Sequence, residues 1–213
     1  MITASKPPHK FFDRILDNNL DEMYAYLEMK QEELLAGTLT EIPTEELSKY
    51  NKNNGAATQL GRYYNIFTFT HPSIQALKSA LKDIMVEASE YYNLDFEANK
   101  FAIKGWFNYD PKTTGTIGVN PLKNERFFHD HMGGEGAPVF HGYYCVNAEP
   151  SSTFYKINGI DAFENINKNN RAIVSETGHP HGRDDWYQDK PRITIAYDIA
   201  PAFDGLGNGW IEL

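Results

Sequence analysis

The sequence predicts an α+β fold in which helices flank an antiparallel β-core, either a sandwich or a barrel. Helical periodicity is concentrated in the first half of the chain, whereas the second half holds short β-like runs separated by Gly, Pro and Asn. No helical pattern separates these runs, which disfavours a parallel, doubly wound sheet. With 41% hydrophobic residues, the 213-residue chain can bury the core of one sizeable domain.

Two helices are predicted before the β-rich part. Residues 21–35 are rich in helix formers and begin with acidic residues, as the helix dipole prefers. Residues 71–92 place apolar side chains at intervals of three and four, which is typical of an amphipathic helix, and Pro72 fits its first turn. The members of this stripe are Ile74, Leu77, Leu81, Ile84 and Ala88.

The predicted strands define the rest of the organisation. We expect residues 1–60 to form an N-terminal helical extension and residues 61–213 to form the β-domain, together as one compact unit. A strand-like run also covers residues 62–70. The β-like runs of the second half are 101–110, 125–131, 139–147, 152–157, 171–176 and 192–199.

Charge and cysteine content exclude several classes of protein. The formal net charge of −9 repels phosphate backbones, and we find no basic patch, so nucleic acid is not an expected partner. The single cysteine, Cys145, excludes a disulfide scaffold and a thiolate zinc cluster. We find no signal peptide and no apolar run of membrane length, so we expect a soluble cytoplasmic protein without a membrane partner.

Two pairs of histidines are the first candidates for chemistry. His129 and His131 lie in ERFFHDHMGGEG, and His179 and His181 lie in ETGHPHGRDD. Residues two apart in a strand point to the same face, so each pair can contact one ion while Asp130 points away. Imidazole is a ligand for iron, copper, nickel and zinc, and a pair plus a distant histidine makes a chelate.

The remaining histidines favour structural interpretations. An H-x-H pair alone is weak evidence, since it also occurs at polar strand ends and turns. We interpret His9 and His71 as structural or surface residues because no other histidine is near them in the sequence. His141, in FHGYYCV, is expected to be a buried, hydrogen-bonded strand residue.

The last predicted strand has two different faces. One face is apolar, with Ile193, Ile195, Tyr197 and Ile199, and the other holds Arg192, Thr194 and Ala196. A guanidinium beside small side chains on an inward face is suited to a carboxylate, which arginine binds in bidentate fashion. Ten residues separate His181 from Arg192.

These motifs resemble the iron(II)/2-oxoglutarate-dependent oxygenases. That family's signature is a histidine–x–carboxylate pair, a distant histidine and an arginine about ten residues later; here it reads His129-Asp130-His131, then His181 and Arg192. The resemblance covers about residues 60–213 and is nearest to a prolyl 4-hydroxylase-like group with a W-x-N strand and an H-x-H pair.

The resemblance implies a double-stranded β-helix, a jelly roll of cupin-like type. It implies that His129, His131 and His181 bind Fe(II), that Arg192 pairs with the distal carboxylate of 2-oxoglutarate, and that Asn108 hydrogen-bonds this co-substrate. The implied activity is a dioxygenase that uses O2, converts 2-oxoglutarate to succinate and hydroxylates a small molecule or a peptide side chain.

The chain departs from the family at the carboxylate, which is His131 here. The third ligand is therefore either His131 or a carboxylate from Asp130 or Glu135, and His179 competes with His181 for the distal position. We expect the segments 120–128 and 157–170 to line or cover the mouth of the pocket, where the substrate is selected.

Two other functions remain open. The first is a cupin-type metal dioxygenase or isomerase without 2-oxoglutarate, because His129, His131, Glu135 and Gly142 follow the spacing of a first cupin motif; that motif's opening glycine is replaced by Lys123. A cupin has no need of Arg192. The second is a metal-free binding module that recognises ligands through its 13 Tyr and 13 Phe residues.

Overall fold

The computed structural model describes residues 8–39, 58, 60, 61, 63–113, 128–131, 139–157, 160–202 and 209–213. The helices are α1 (Leu20–Ala36), α2 (Pro72–Tyr91) and α3 (Phe96–Asn99), and a 3-10 turn covers Ile66–Thr68. The strands are β1 (Phe11–Ile15), β2 (Phe101–Asp110), β3 (Phe140–Asn147), β4 (Ser152–Ile157), β5 (Ile160–Ile166), β6 (Arg171–Glu176), β7 (His181–Arg183), β8 (Arg192–Pro201) and β9 (Ile211–Glu212).

The strands form two antiparallel sheets. The larger sheet has the order β1-β6-β3-β8-β2-β9, and the smaller has the order β5-β4-β7. Within the described ranges, no helix is long and apolar enough to cross a membrane. Among the described residues, strands outnumber helices, and the non-sequential strand order brings distant segments together.

The two predicted helices are present as α1 and α2. Asn19 caps α1 by accepting a hydrogen bond from the backbone N–H of Glu22, and Gly37 ends this helix in the left-handed conformation. The predicted apolar stripe of α2 is fully buried in the core. The amphipathic pattern thus identified the side of α2 that packs inward.

The predicted strand at residues 62–70 is wrong, because its centre is the 3-10 turn Ile66–Thr68. Asn65 is responsible: its Oδ1 accepts hydrogen bonds from the N–H groups of Phe67 and Gly105. Its Nδ2 donates to the carbonyl groups of Ile103 and Gly209. A buried amide with four partners fixes the turn more strongly than β-propensity favours a strand.

The first 60 residues contain a strand that the sequence analysis did not predict. β1 pairs with β6 at the edge of the larger sheet, with Phe11 opposite Ser175 and Ile15 opposite Arg171. Arg171 also donates from Nε to Asp13. This part of the chain therefore includes a piece of the β-core, while a division at residue 60 remains a prediction.

The strand β8 lies between β2 and β3 and has the two faces that its sequence predicts. Ile193, Ile195, Tyr197 and Ile199 are buried in the core that α1 and α2 cover. The opposite face of β8 points into the space between the sheets and carries the polar residues described below.

Close packing in the larger sheet depends on Gly142 in β3. A Cβ at this position would lie 1.9 Å from the carbonyl oxygen of Ile173 and 2.6 Å from the Tyr197 ring. The Tyr197 hydroxyl in turn lies 2.8 Å from the carbonyl oxygen of Ile173, to which it donates. Only glycine permits this approach of β3, β6 and β8.

Candidate metal centre

His129 pairs through its backbone with His181, the first residue of β7 in the smaller sheet. The N–H of His129 donates to the carbonyl of His181 at 3.0 Å, and the N–H of His181 donates to the carbonyl of His129 at 2.8 Å. Residues 125–127 of the predicted strand lie outside the described residues, and His129 forms an isolated bridge rather than part of a named strand. The bridge places both imidazoles side by side.

His131 joins this pair. The candidate ligand atoms of His129, His131 and His181 all lie within 4.8 Å of one another. Their ring centroids are 4.5 Å apart for His129 and His181, 5.1 Å for His131 and His181, and 5.4 Å for His129 and His131. The residues needed for a three-nitrogen metal site are thus already close together.

Asp198 of β8 orients the His131 ring. Its Oδ1 lies 2.5 Å from His131 Nδ1, and both side chains are mostly buried. Trp106 of β2 stacks on the face of this imidazole, with ring centroids 5.9 Å apart and planes at 21°. A carboxylate on Nδ1 directs the lone pair of Nε2 toward a metal, as is usual for histidine ligands.

Desolvation and the neighbouring imidazoles keep His129, which is partly open to solvent, and His181 in the neutral form that binds metals. Burial, followed by the neighbouring His129 and His131, lowers the pKa of His181 to about 3. The pKa of His129 is also lowered, first by burial and then by His131. Metal binding requires a neutral imidazole. Both rings are already neutral near pH 7, so a metal can bind without first displacing a proton from either.

Two of the alternative ligands, Asp130 and His179, lie outside the group of three imidazoles. Asp130 is exposed and is not among the three converging ligands, and Glu135 lies outside the described residues. His179 lies beside His9 and Glu176 instead of beside His129. His9, interpreted as solitary from the sequence, therefore has close neighbours.

His141 lies behind the three histidines as a buried strand residue. It is 3% exposed, and its Nε2 lies 3.1 Å from the hydroxyl oxygen of Ser175. Its ring centroid is 4.6 Å from that of His181. Burial, followed by the surrounding imidazoles, lowers the pKa of His141 well below its usual value.

A cavity of about 280 Å³ opens beside the histidines. This volume is close to the lower end of the range for small-molecule sites, roughly 300 Å³ and above. β2 and β8 form one wall in which residues alternate along each strand. The wall residues are Trp106, Asn108 and Asp110 of β2, with Arg192, Thr194 and Ala196 of β8.

Arg192 is a buried cation in this wall, only 3% exposed. Its Nη1 donates to Asp110 Oδ2 at 3.1 Å, and Arg183 donates to the other oxygen of Asp110 at 2.7 Å. Among the described residues, the Nε of Arg192 has no hydrogen-bond partner. Two guanidinium groups sharing one carboxylate leave a net positive charge, which suits an anionic ligand.

Asn108 also lines the cavity. Its Oδ1 accepts a hydrogen bond from the hydroxyl of Thr58 at 2.7 Å, and its Nδ2 donates to Thr194 Oγ1 at 3.2 Å. These bonds hold the amide against the β2–β8 wall near Arg192. Half of the second predicted mouth segment, 157–170, is β5, which pairs with β4. Residues 120–127 of the first segment lie outside the described residues.

Sequence reasoning missed Asp198, Asp110 and the group of His9, Glu176 and His179. The alternation along β8 that identified Arg192 continues to Asp198, and the alternation from Asn108 reaches Asp110. The two-residue alternation of side chains along a strand could therefore have identified both carboxylates. No local pattern links His9 to Glu176 and His179, because more than 160 residues separate them.

The overall fold is similar to that of a Pseudomonas putida prolyl-4-hydroxylase crystal structure. The TM-score is 0.51 at 10% sequence identity, and the alignment covers 92% of this chain and 89% of that chain. No model of a known protein family matches the sequence, and no curated protein matches it. At this identity the similarity concerns the fold, and it is consistent with the jelly-roll-like architecture expected from the sequence.

Proposed function

We propose that this protein is an iron(II)/2-oxoglutarate-dependent oxygenase that hydroxylates a small molecule or a peptide side chain. The reaction consumes O2 and converts 2-oxoglutarate to succinate. The observation that carries this proposal is the convergence of three imidazoles at a cavity whose wall also holds the buried Arg192. The similarity of the fold to that of a prolyl-4-hydroxylase supports the same class, and the proposal includes a double-stranded β-helix as the arrangement of the two sheets.

His129, His131 and His181 are the proposed iron ligands. Imidazole is a suitable ligand for iron, and three protein ligands leave coordination positions for a co-substrate and O2. Iron(II) held there would supply the activation of O2 that hydroxylation needs. The backbone bridge fixes the separation of His129 and His181, and the contacts of His131 with Asp198 and Trp106 fix its ring.

Asp198 supplies the negative charge that the H-x-H pair lacks. In the H-x-carboxylate pattern a carboxylate binds the metal directly, whereas here His131 takes that position. The Asp198 carboxylate contacts the far side of the same imidazole. A hydrogen bond from Nδ1–H to a carboxylate makes the imidazole a better electron donor, so this pair partly restores the charge balance.

Arg192 is the proposed partner of the distal carboxylate of 2-oxoglutarate. Its guanidinium is buried in the cavity wall and donates a hydrogen bond to the Asp110 carboxylate. A buried charge-assisted pair is strong and directional. Asn108 and Thr194 line the same wall and offer further polar atoms to the co-substrate. This use of Arg192 favours the oxygenase over a cupin-type enzyme that does without 2-oxoglutarate.

The test is an anaerobic titration of the iron(II)-loaded protein with 2-oxoglutarate, followed by visible absorption. Chelation of iron(II) by a 2-oxo acid gives a weak charge-transfer band, which we expect for the wild type. In Arg192→Ala, iron should remain bound, while the band should require much more 2-oxoglutarate. Bound iron without any band would contradict the use of 2-oxoglutarate, and failure to bind iron would contradict the metal site.

Arg183→Gln is the matched control. Arg183 also lines the cavity and also contacts Asp110, but its side chain is 40% exposed whereas that of Arg192 is 4% exposed. If the proposal is right, Arg183→Gln weakens 2-oxoglutarate binding far less than Arg192→Ala does. Equal effects would mean that the cavity responds only to total charge.

A further inference from the structure

We propose that His9, Glu176 and His179 form a second site, for a divalent transition metal, that fastens the segment before β1 to the loop presenting His181. The candidate ligand atoms of these three residues all lie within 4.8 Å of one another. The site is separate from the three histidines of the first centre, and it does not depend on the proposed oxygenase activity.

Three separate segments contribute to this second site. His9 precedes β1, Glu176 is the last residue of β6, and His179 lies in the loop between β6 and β7. Pairing of β1 with β6 puts Phe11 opposite Ser175, which brings His9 alongside the end of β6. Gly178, in the left-handed conformation at φ 90°, turns the chain so that His179 comes back toward His9.

The packing of the two imidazoles supports a common ligand. The rings of His9 and His179 have centroids 4.2 Å apart with planes at 79°, and all three side chains are partly buried. Two nitrogens and one carboxylate oxygen make a donor set suited to zinc, cobalt, nickel or iron. Partial burial limits competition from bulk water while leaving positions for bound water, as three-ligand sites require.

The position of this site links it to the first centre. The carbonyl oxygen of His179 lies 3.4 Å from Nδ1 of His181, and His181 is bridged to His129. An ion bound to His179 would hold the loop that leads into β7, the strand that begins at His181. Its role is therefore structural: it would restrict the loop that positions a ligand of the first metal.

The test is the stoichiometry and affinity of Co²⁺ or Zn²⁺ binding to the full chain, measured by calorimetry and by elemental analysis after desalting. We expect two ions per chain for the wild type. Glu176→Gln and His9→Asn should each lose the second ion and keep the first. His181→Asn should lose the first and keep the second, so failure of one site is distinguishable from failure of the other.

His71→Asn is the control for the loss of a histidine far from both sites. His71 caps α2 by accepting from the N–H of Ser73, and asparagine can also cap a helix, so this variant should keep two ions. A single ion in the wild type that His181→Asn removes would overturn the proposal. So would two ions that remain in both Glu176→Gln and His9→Asn.

Discussion

The two faces of β8 differ in composition, in what they contact and in what they contribute. Ile193, Ile195, Tyr197 and Ile199 pack into the core against the helices. Two positions on the opposite face contact polar partners: Arg192 forms an ion pair with Asp110, and the Asp198 carboxylate contacts the His131 ring. Side chains alternate along a strand, so one face of β8 contributes to the stability of the core and the other contributes polar groups to the cavity.

The first test removes His181, a proposed metal ligand that lies outside β8. His181→Ala should abolish binding at the first centre, because two remaining imidazoles hold a hydrated divalent ion poorly. The fold should persist, since the bridge to His129 uses backbone atoms. Elemental analysis and circular dichroism check the two results. Unchanged metal content in His181→Ala would contradict the assignment.

A substitution on the apolar face of β8 should affect the stability of the fold instead of the metal. Ile195→Ala should lower the free energy of unfolding by about 2–5 kcal/mol, because it leaves a cavity among fully buried side chains. Metal affinity should stay unchanged, which denaturant unfolding and a metal titration would test together. The neighbouring Thr194→Ala, on the cavity face, serves as the comparison and should cost less. If Ile195→Ala weakened metal binding as well, the two faces would not be independent.

A change at the other end of the polar face should have a smaller effect that is specific to the metal. Asp198→Asn keeps the size of the side chain but removes the charge beside His131, so metal affinity should fall by about 10–100-fold. Thermal stability should change little by comparison. Asp130→Asn, an exposed carboxylate next to His131 in the chain, is the matched control and should leave affinity unchanged. Equal losses in both variants would indicate a general charge effect.

The free energy of unfolding of the metal-free protein should depend modestly on pH. The pKa of His141 is lower in the folded protein than in the unfolded chain, so below about pH 6.5 the unfolded chain binds more protons. Stability therefore falls as pH drops, with a contribution from His141 of at most about 1.4 kcal/mol per pH unit. Asp198, opposite His141 in β8, and the imidazoles of His131 and His181 also face this group.

His141→Gln tests this contribution, since glutamine keeps a hydrogen-bonding group near Ser175. Denaturant unfolding at pH 7.0 and 5.5 should show a smaller loss of stability for the variant than for the wild type. The same dependence on pH in both proteins would mean that His141 does not titrate with unfolding.

Much of the β8 face could be predicted because alternation is a local property of a strand. Arg192, Thr194 and Ala196 were identified in this way, and extension of the same alternation includes Asp198. The turn at Asn65 reads as a strand in the sequence because three of the four hydrogen-bond partners of its side chain, Ile103, Gly105 and Gly209, are distant along the chain. Tertiary contacts of this kind override propensity and leave no local signal.

The edge strand β1 and the second histidine group were missed for a related reason. β1 is only five residues long, and its place in the sheet depends on pairing with β6, which follows more than 150 residues later. The group of His9, Glu176 and His179 exists only once that pairing has formed. Sequence patterns identify faces of elements, whereas contacts between distant elements require the fold.

The backbone bridge between His129 and His181 has a kinetic consequence. Paired backbone hydrogen bonds join His129 to His181. His131 is held instead through contacts of its ring with Asp198 and Trp106. Release of an ion from three ligands is stepwise, and the His131 ring can rotate away from the ion once its contact with Asp198 is broken. The dissociation rate of a bound metal should therefore depend on Asp198. Its association rate should depend on His129 and His181, which the backbone bridge already holds close together.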